Sequence, residues 1–308
     1  ILIVILFVGF QIKRMLSGAD IIKDVLSISQ QFSKIRSIDV SKEIESNTDS
    51  NTNSNTDSDK EINNEKTEKI KTEVENLLKT IDGHYGVYYY NLSTKESFGI
   101  NQDEEFTAAS TIKVPINLYL YQRIKDGYVN PQGVLSYTQD DYEAGTGIIQ
   151  NESFGKKYTV QQLSKLSITY SDNIATNMLL RFIGLKNVKD YMKQLGGNII
   201  DYDNNVTSPR DLGIYMKSVY EFSNKNGELG AELMDNFLNT KFNDRIPELL
   251  PKDIRVAHKI GTQVNVINDV GIVYTDKPYI LAIMSKDVDE DEAPDDLARL
   301  SKKIFDLL

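Results

Sequence analysis

Three short stretches carry residue types that can do chemistry. The first is Ala108-Ala109-Ser110-Thr111-Ile112-Lys113-Val114-Pro115. A serine and a lysine three residues apart share one helix face. The amine of Lys113 can therefore take the proton of Ser110 without a histidine. A serine at a helix start also sits among unpaired backbone N–H groups at the positive end of the dipole, a setting that favours an oxyanion. The second stretch, Tyr170-Ser171-Asp172-Asn173, has the residue types of a helix cap. It also offers a hydroxyl, Ser171, to pass a proton to a leaving nitrogen, and an amide, Asn173, to orient a substrate. The third, His258-Lys259-Ile260-Gly261-Thr262, ends a β-rich run. Gly261 there permits close backbone approach of a ligand. Ser153-Phe154-Gly155-Lys156 repeats the first spacing. Its glycine and the Lys-Lys-Tyr around it make it a loop, and it is given no role.

The elements that must position these residues follow from periodicity. Residues 65–81 form a helix with Ile70, Val74, Leu77 and Leu78 on one face. Residues 86–91 and 97–101 are strands joined by a turn. A helix follows Ser110 as far as Lys125. The middle is helical, over about residues 160–167, 171–182 and 186–195. Thr159 with Gln162 forms a capping box, and Ser208-Pro209 starts a further helix. Residues 254–261, 268–274 and 279–284 are strands, and 294–308 a closing helix. Strands at both ends and helices between them predict one sheet built from the two terminal segments, with an all-helical insertion.

The chain has 308 residues and a net charge of -10, which argues against a nucleic-acid partner. It contains no cysteine, which removes thiol chemistry and cysteine metal sites. Its two histidines, His84 and His258, are too few for a histidine-rich metal site. A Ser-His-Asp triad fits poorly, because neighbours on a strand point to opposite faces and His258 adjoins Lys259. In residues 1–14 an almost wholly apolar run, Ile1 to Phe10, is followed by Lys13-Arg14. The run is shorter than the roughly 20 residues a span needs; it is expected to be the tail of a signal-anchor that holds the chain at a membrane. Ile21, Val25, Ile28, Phe32 and Ile35 mark a juxtamembrane helix over 15–40. Residues 41–66, rich in Asn, Ser, Thr, Asp, Glu and Lys, have too little apolar surface to fold and are expected to be a linker. The domain proper then runs over 67–308.

Taken in order, Ser-x-x-Lys, Ser-Asp-Asn and Lys-x-Gly form the signature of penicillin-recognising enzymes. The chain resembles the class A β-lactamase-like branch of that superfamily. Tyr158-Thr159-Val160, Thr207-Ser208-Pro209-Arg210-Asp211 and Asn268-Asp269-Val270 resemble family positions too, so the likeness covers nearly the whole domain. It implies an α/β (α+β) fold of the β-lactamase/transpeptidase type, an antiparallel five-stranded sheet flanked by helices plus an all-helical subdomain. It implies Ser110 as the acylated nucleophile, Lys113 as its base with a pKa lowered by burial and by crowding from Lys259, and Ser171 as the proton shuttle. It implies that Asn173 holds the substrate amide, that Lys259 and Thr262 bind the substrate carboxylate beside Gly261, and that the N–H groups of Ser110 and Thr262 form an oxyanion hole. No cofactor and no metal are implied. Tyr142, in a glycine-flanked loop, is expected to wall the cleft.

Two departures matter. The family's deacylating glutamate has no counterpart in residues 196–206, a short stretch holding only Asp201 and Asp203 as acids. Ile260 stands where the family usually has a hydroxyl residue, and residues 263–268 contain no arginine. The expectation is an extracytoplasmic serine hydrolase of the D,D-peptidase-like kind that acylates on β-lactams or peptidoglycan peptides and deacylates slowly. The alternatives are a true β-lactamase with an atypical deacylating group, and a non-catalytic wall-binding or sensor domain.

Overall fold

Alternate residues of the central strands serve two different cores, one on each face of the sheet. In strand β1 (His84–Asn91) of this computed structural model, Tyr88 joins one core, whereas Val87 and Tyr89 join the other. In β9 (Tyr279–Lys286) Ile280, Ala282 and Met284 face one way, and Leu281 and Ile283 the other. A strand buried on both faces must be apolar throughout, and this explains the unbroken hydrophobic run of β9. The structure describes residues 55–308. The expected segments 1–14 and 15–40, and most of 41–66, lie outside them. Among the described residues no helix is long and apolar enough to cross a membrane.

The sheet has the order β2-β1-β9-β8-β7, with β2 at Ser97–Ile100, β7 at Arg255–Gln263 and β8 at Val266–Tyr274. Every pairing is antiparallel. The two-residue strands β3 (Phe106–Thr107) and β6 (Val206–Thr207) pair with each other, as do β4 (Val134–Ser136) and β5 (Lys157–Thr159). One face is covered by α1 (Asn55–Leu78) and α8 (Ala293–Leu307), through Ile70, Val74, Leu297 and Ile304. The other face meets the helical insertion: α2 (Lys113–Lys125), α3 (Val160–Thr169), α4 (Asn173–Ile183), α5 (Leu185–Gln194), α6 (Pro209–Lys225) and α7 (Gly227–Leu238). The expected architecture and the five-stranded antiparallel sheet are both present.

Helix starts follow their local chemistry. Thr159 accepts from the N–H of Gln162 while the Gln162 side chain accepts from the N–H of Thr159, a reciprocal capping box. Ser208 caps α6 with Pro209 in its first turn. One boundary differs. The first helix begins at Asn55, so residues 55–66 of the expected linker are helical. Composition predicted a linker because these residues bury little apolar surface. Lys60, Glu61, Glu65 and Lys66 are nonetheless good helix formers, and a turn anchored by Ile70 and Val74 can propagate into them at little cost.

Candidate active site

Ser110 lies in a 3-10 turn, Ala109–Ile112, and α2 begins only at Lys113. The turn is held from both sides. Asn205 donates its side-chain N–H to the Ala109 carbonyl at 3.0 Å, and the Ala108 N–H donates to the Asn205 carbonyl at 2.9 Å. From β8, Asn268 donates to the carbonyl of Thr107 at 2.8 Å. Ala109 is forced to φ 47°, a left-handed conformation costly for any residue with a Cβ. Ser171, at φ 51°, is the other residue of the site in that region. Backbone strain thus falls on both hydroxyl-bearing segments.

Lys113 is buried, and its ammonium donates to the Ser171 carbonyl at 2.6 Å, to Asn173 Oδ1 at 2.8 Å and to Ser171 Oγ at 3.3 Å. Lys259, fully buried, donates to the same Ser171 Oγ at 2.9 Å and to the Ile260 carbonyl at 2.8 Å. Two amines therefore meet at one hydroxyl. Burial lowers the pKa of Lys113 to about 8, against the pull of the Asp172 and Glu143 carboxylates. Burial, and then the Lys113 charge, push Lys259 well below its ordinary value. Crowding between the amines is thus felt by Lys259, whereas Lys113 is governed by desolvation. The partners of Lys113 lie on the Ser171 side, and none of the described hydrogen bonds reaches Ser110 Oγ. Lys113 must exchange one of these acceptors for Ser110 to act on it, a rearrangement common between resting and substrate-bound sites.

Ser171 and Asn173 flank Asp172, which caps α4 by accepting from the Ala175 N–H at 2.9 Å. Its second oxygen accepts from the N–H groups of Ile148 and Ile149 at 2.7 and 2.9 Å. The cap is therefore Asp172, and the side chains of Ser171 and Asn173 meet Lys113 instead. Edge strand β7 brings Gly261 against the Ser110 turn. A Cβ at position 261 would lie 2.9 Å from the Ala108 carbonyl oxygen and 3.1 Å from the Ser110 nitrogen. The backbone of the Ser110 turn itself therefore approaches Gly261 closely. Thr262 pairs with Ile267 across the hairpin. Counted from the closing Gln263–Val266 pair, the antiparallel alternation turns the Thr262 N–H towards the open edge, beside Ser110.

A cavity of about 520 Å³ opens on Ser110, Lys113, Asn173 and Thr262. Lys259 and Ser171 lie behind its wall. The bonds of the Lys259 ammonium run to Ser171 Oγ and to the Ile260 carbonyl. Tyr142 does not line it either: Asp141 takes the inward position, buried and held by Arg181 at 2.7 Å, and Tyr142 turns out to solvent, 53% exposed. Its neighbour Glu143 is on the wall instead. His258 lies on the other face from Lys259, as the strand period requires, bonded through Nδ1 to Asp269 at 3.0 Å. His84 pairs with Glu104 on the surface. Neither histidine lines the cavity with Ser110.

Two functional groups were missed from sequence. Arg245, buried, donates to the carbonyls of Gly261 and Asn268 and, at 2.5 Å, to Thr262 Oγ1. It puts a cation behind Thr262 although residues 263–268 hold no arginine. It comes from an irregular segment ahead of β7, where no local pattern marks it. Lys189, on α5, also lines the cavity. The polar groups of the loop after α5 are largely paired. Asp211 accepts from the N–H groups of Asn198 and Ile199, and Asp201 from those of Asp203 and Asn204 and from the Asn204 side chain. These donors, the Asn204 side chain foremost, hold the Asp201 carboxyl below its usual range. Asp203 reaches the cavity wall and is exposed.

The model of the beta-lactamase enzyme family matches residues 69–308. Among curated proteins, the chain is 28% identical over 235 residues to Beta-lactamase ROB-1 of Haemophilus influenzae, covering 70% of this chain and 76% of that one. It is 26% identical over 275 residues to a beta-lactamase of Bacillus licheniformis, covering 80% and 85%. Among solved structures, PBP-A superposes with a TM-score of 0.72 at 26% identity, covering 77% of this chain and 95% of that one. A substituted PBP-A, solved as an acyl-enzyme complex with penicillin G, superposes with a TM-score of 0.71 at the same identity and coverage.

Proposed function

For a chain that belongs to the beta-lactamase enzyme family and is a class A-like serine hydrolase, we propose a specific course of reaction: rapid acylation of Ser110 and slow release. Neutral Lys113 takes the Ser110 proton as Oγ attacks the carbonyl carbon of a β-lactam or of a D-Ala-D-Ala-type peptide. The oxyanion is met by the N–H groups of Ser110 and Thr262. The C–N bond breaks, and the proton passes through Ser171 to the leaving nitrogen. Asn173 orients the substrate amide, and Thr262, backed by Arg245, receives the substrate carboxylate. Lys259 acts through Ser171, fixing its hydroxyl.

The observation that carries slow release is the loop over residues 196–205. Hydrolysis of the ester needs a carboxylate fixed beside it to activate water. Of the loop's acids, Asp201 is spent on the loop's own N–H groups, and Asp203 is exposed with no hydrogen bond to its carboxylate among the described residues. A peptidoglycan peptide as natural substrate goes with this, together with a location outside the cytoplasm and tethering at a membrane through residues 1–14. One observation favours a second reading, a true β-lactamase: Asp203 shares the cavity with Ser110.

Incubation with benzylpenicillin followed by intact mass tests the proposal. A stable adduct on the wild type, absent from Ser110→Ala, is expected. No adduct at all would favour a binding or sensor domain. Rapid turnover of a chromogenic cephalosporin would replace slow release by β-lactamase activity.

A further inference from the structure

The cavity is larger than the acylation chemistry needs. Past Ser110 it continues between α4, α5 and the loop, walled by Leu180, Leu185 and Tyr202. Leu185 and Tyr202 are each 43% exposed, so this chamber presents apolar surface to whatever enters. Besides Lys113, a second buried lysine lines the same space: Lys189, which is 2% exposed. The Lys189 ammonium donates only to the Asn204 carbonyl, at 3.2 Å. No carboxylate lies within ion-pair distance of it among the described residues. Asp201, the acid whose field it feels, already accepts three donors from the loop. An ammonium this buried ordinarily carries an acidic partner, because desolvation of an unpaired charge is costly. The acids on the wall, Glu143 and Asp203, do not supply one: Glu143 accepts from Asn177 at 2.9 Å, and Asp203 is exposed and screened by solvent.

We propose that this chamber is the subsite for the acyl arm of the substrate, and that it selects an arm with an apolar stem ending in a carboxylate, which Lys189 receives. The proposal rests on the acyl-enzyme reading above, since the arm is the part of the substrate left on Ser110. The Asn204 carbonyl that holds Lys189 belongs to the loop next to Asn205, which holds the Ser110 turn. An arm bound at Lys189 is therefore registered against the nucleophile through two adjacent residues. In a peptide substrate the matching group is a free side-chain or backbone carboxylate on the arm, upstream of the bond that Ser110 attacks.

The test uses two cephalosporins alike except at the end of the arm, one acylated on its amine with adipic acid and the other with the methyl ester of that arm. Rates of adduct formation are followed by intact mass on the full chain. The acid is expected to acylate the wild type roughly ten- to a hundredfold faster than the ester, the range of a buried charge-assisted hydrogen bond. In Lys189→Met the ratio is expected to fall close to one, and in Lys189→Arg to remain well above it. A wild-type ratio near one overturns the proposal whether or not the variants fold. An equal loss of both rates in Lys189→Met, with the ratio kept, also overturns it, because Lys189 would then only hold the loop. If neither cephalosporin nor benzylpenicillin leaves an adduct, the acyl-enzyme reading fails and the subsite with it. Adducts from both cephalosporins at one rate remove the subsite alone.

Discussion

The two sides of the Ser110 cavity are built by opposite means. On one side Lys113, Ser171, Asn173 and Lys259 are joined by hydrogen bonds of 2.6–3.3 Å, and the two lysines and Ser171 are buried. That side includes strained backbone at Ser171 and, in the Ser110 turn, at Ala109. On the other side the acids of the loop over residues 196–205 are exposed or occupied within the loop, and its bonds to Lys189 and to the Ser110 turn, from Asn204 and Asn205, are made by amide groups. Strain and buried charge cost stability and persist where surrounding structure holds them in place. Acids that are exposed or already occupied cost little and do little chemistry. On the proposed reading the first side makes the ester, and the loop's acids offer no comparable means of breaking it.

The strongest way to break this comparison is to remove the base. Lys113→Met should slow acylation by benzylpenicillin by about 10²- to 10⁴-fold, the usual worth of a positioned general base. An unchanged rate would move the proton transfer to another group. Next comes pH. In the proposed course Lys113 acts neutral, and burial lowers its pKa to about 8. Acylation should therefore rise about tenfold per unit as pH increases towards 8 and level off above it. Rates that fall over that range would show that the charged amine is the active form.

The geometry can be disturbed with the polar groups intact. Gly261→Val places atoms inside contact distance of the Ala108 carbonyl. Overpacking of this kind costs about 1–3 kcal/mol, which lowers Tm by several degrees in a domain of this size. Acylation should fall alongside, because the displaced backbone carries the Ser110 and Thr262 N–H groups. A drop in Tm with acylation unchanged would separate strand position from the oxyanion site. The smallest effect is expected from Asp203→Asn. Deacylation, measured as loss of adduct after excess penicillin is removed, should stay within about twofold, since an exposed carboxylate at this site is not fixed for general-base work. A deacylation rate cut tenfold or more would turn the loop into catalytic machinery.

Much of the first side was legible in sequence because its parts are short-range. The Ser110–Lys113 spacing, the Ser171-Asp172-Asn173 cap and the period-two alternation that separates His258 from Lys259 each depend on neighbours within a few residues. The five strands were legible for the same reason. What was not legible depends on contacts across the fold. Arg245 reaches Thr262 from an irregular segment, and nothing around it marks a buried cation. Lys189 has the look of a solvated lysine on an amphipathic helix until the loop closes over it. The nucleophile was expected at a helix start but sits in a 3-10 turn, because Asn205 and Asn268 hold that backbone from distant segments. Tyr142 was expected in the cleft. The Asp141–Arg181 pair, formed between loop and helix, turns it out. The Asn55 helix start was missed because composition measures burial, whereas propagation depends on the anchored turns downstream.

The central claim, an ester made quickly on Ser110 and lost slowly, is tested most directly by the time course of the benzylpenicillin adduct after a single rapid mixing. The account predicts an adduct on Ser110 of the wild type, none on Ser110→Ala, and persistence of the adduct long after free penicillin has been removed. Full hydrolysis of excess penicillin with no adduct surviving its removal would contradict it.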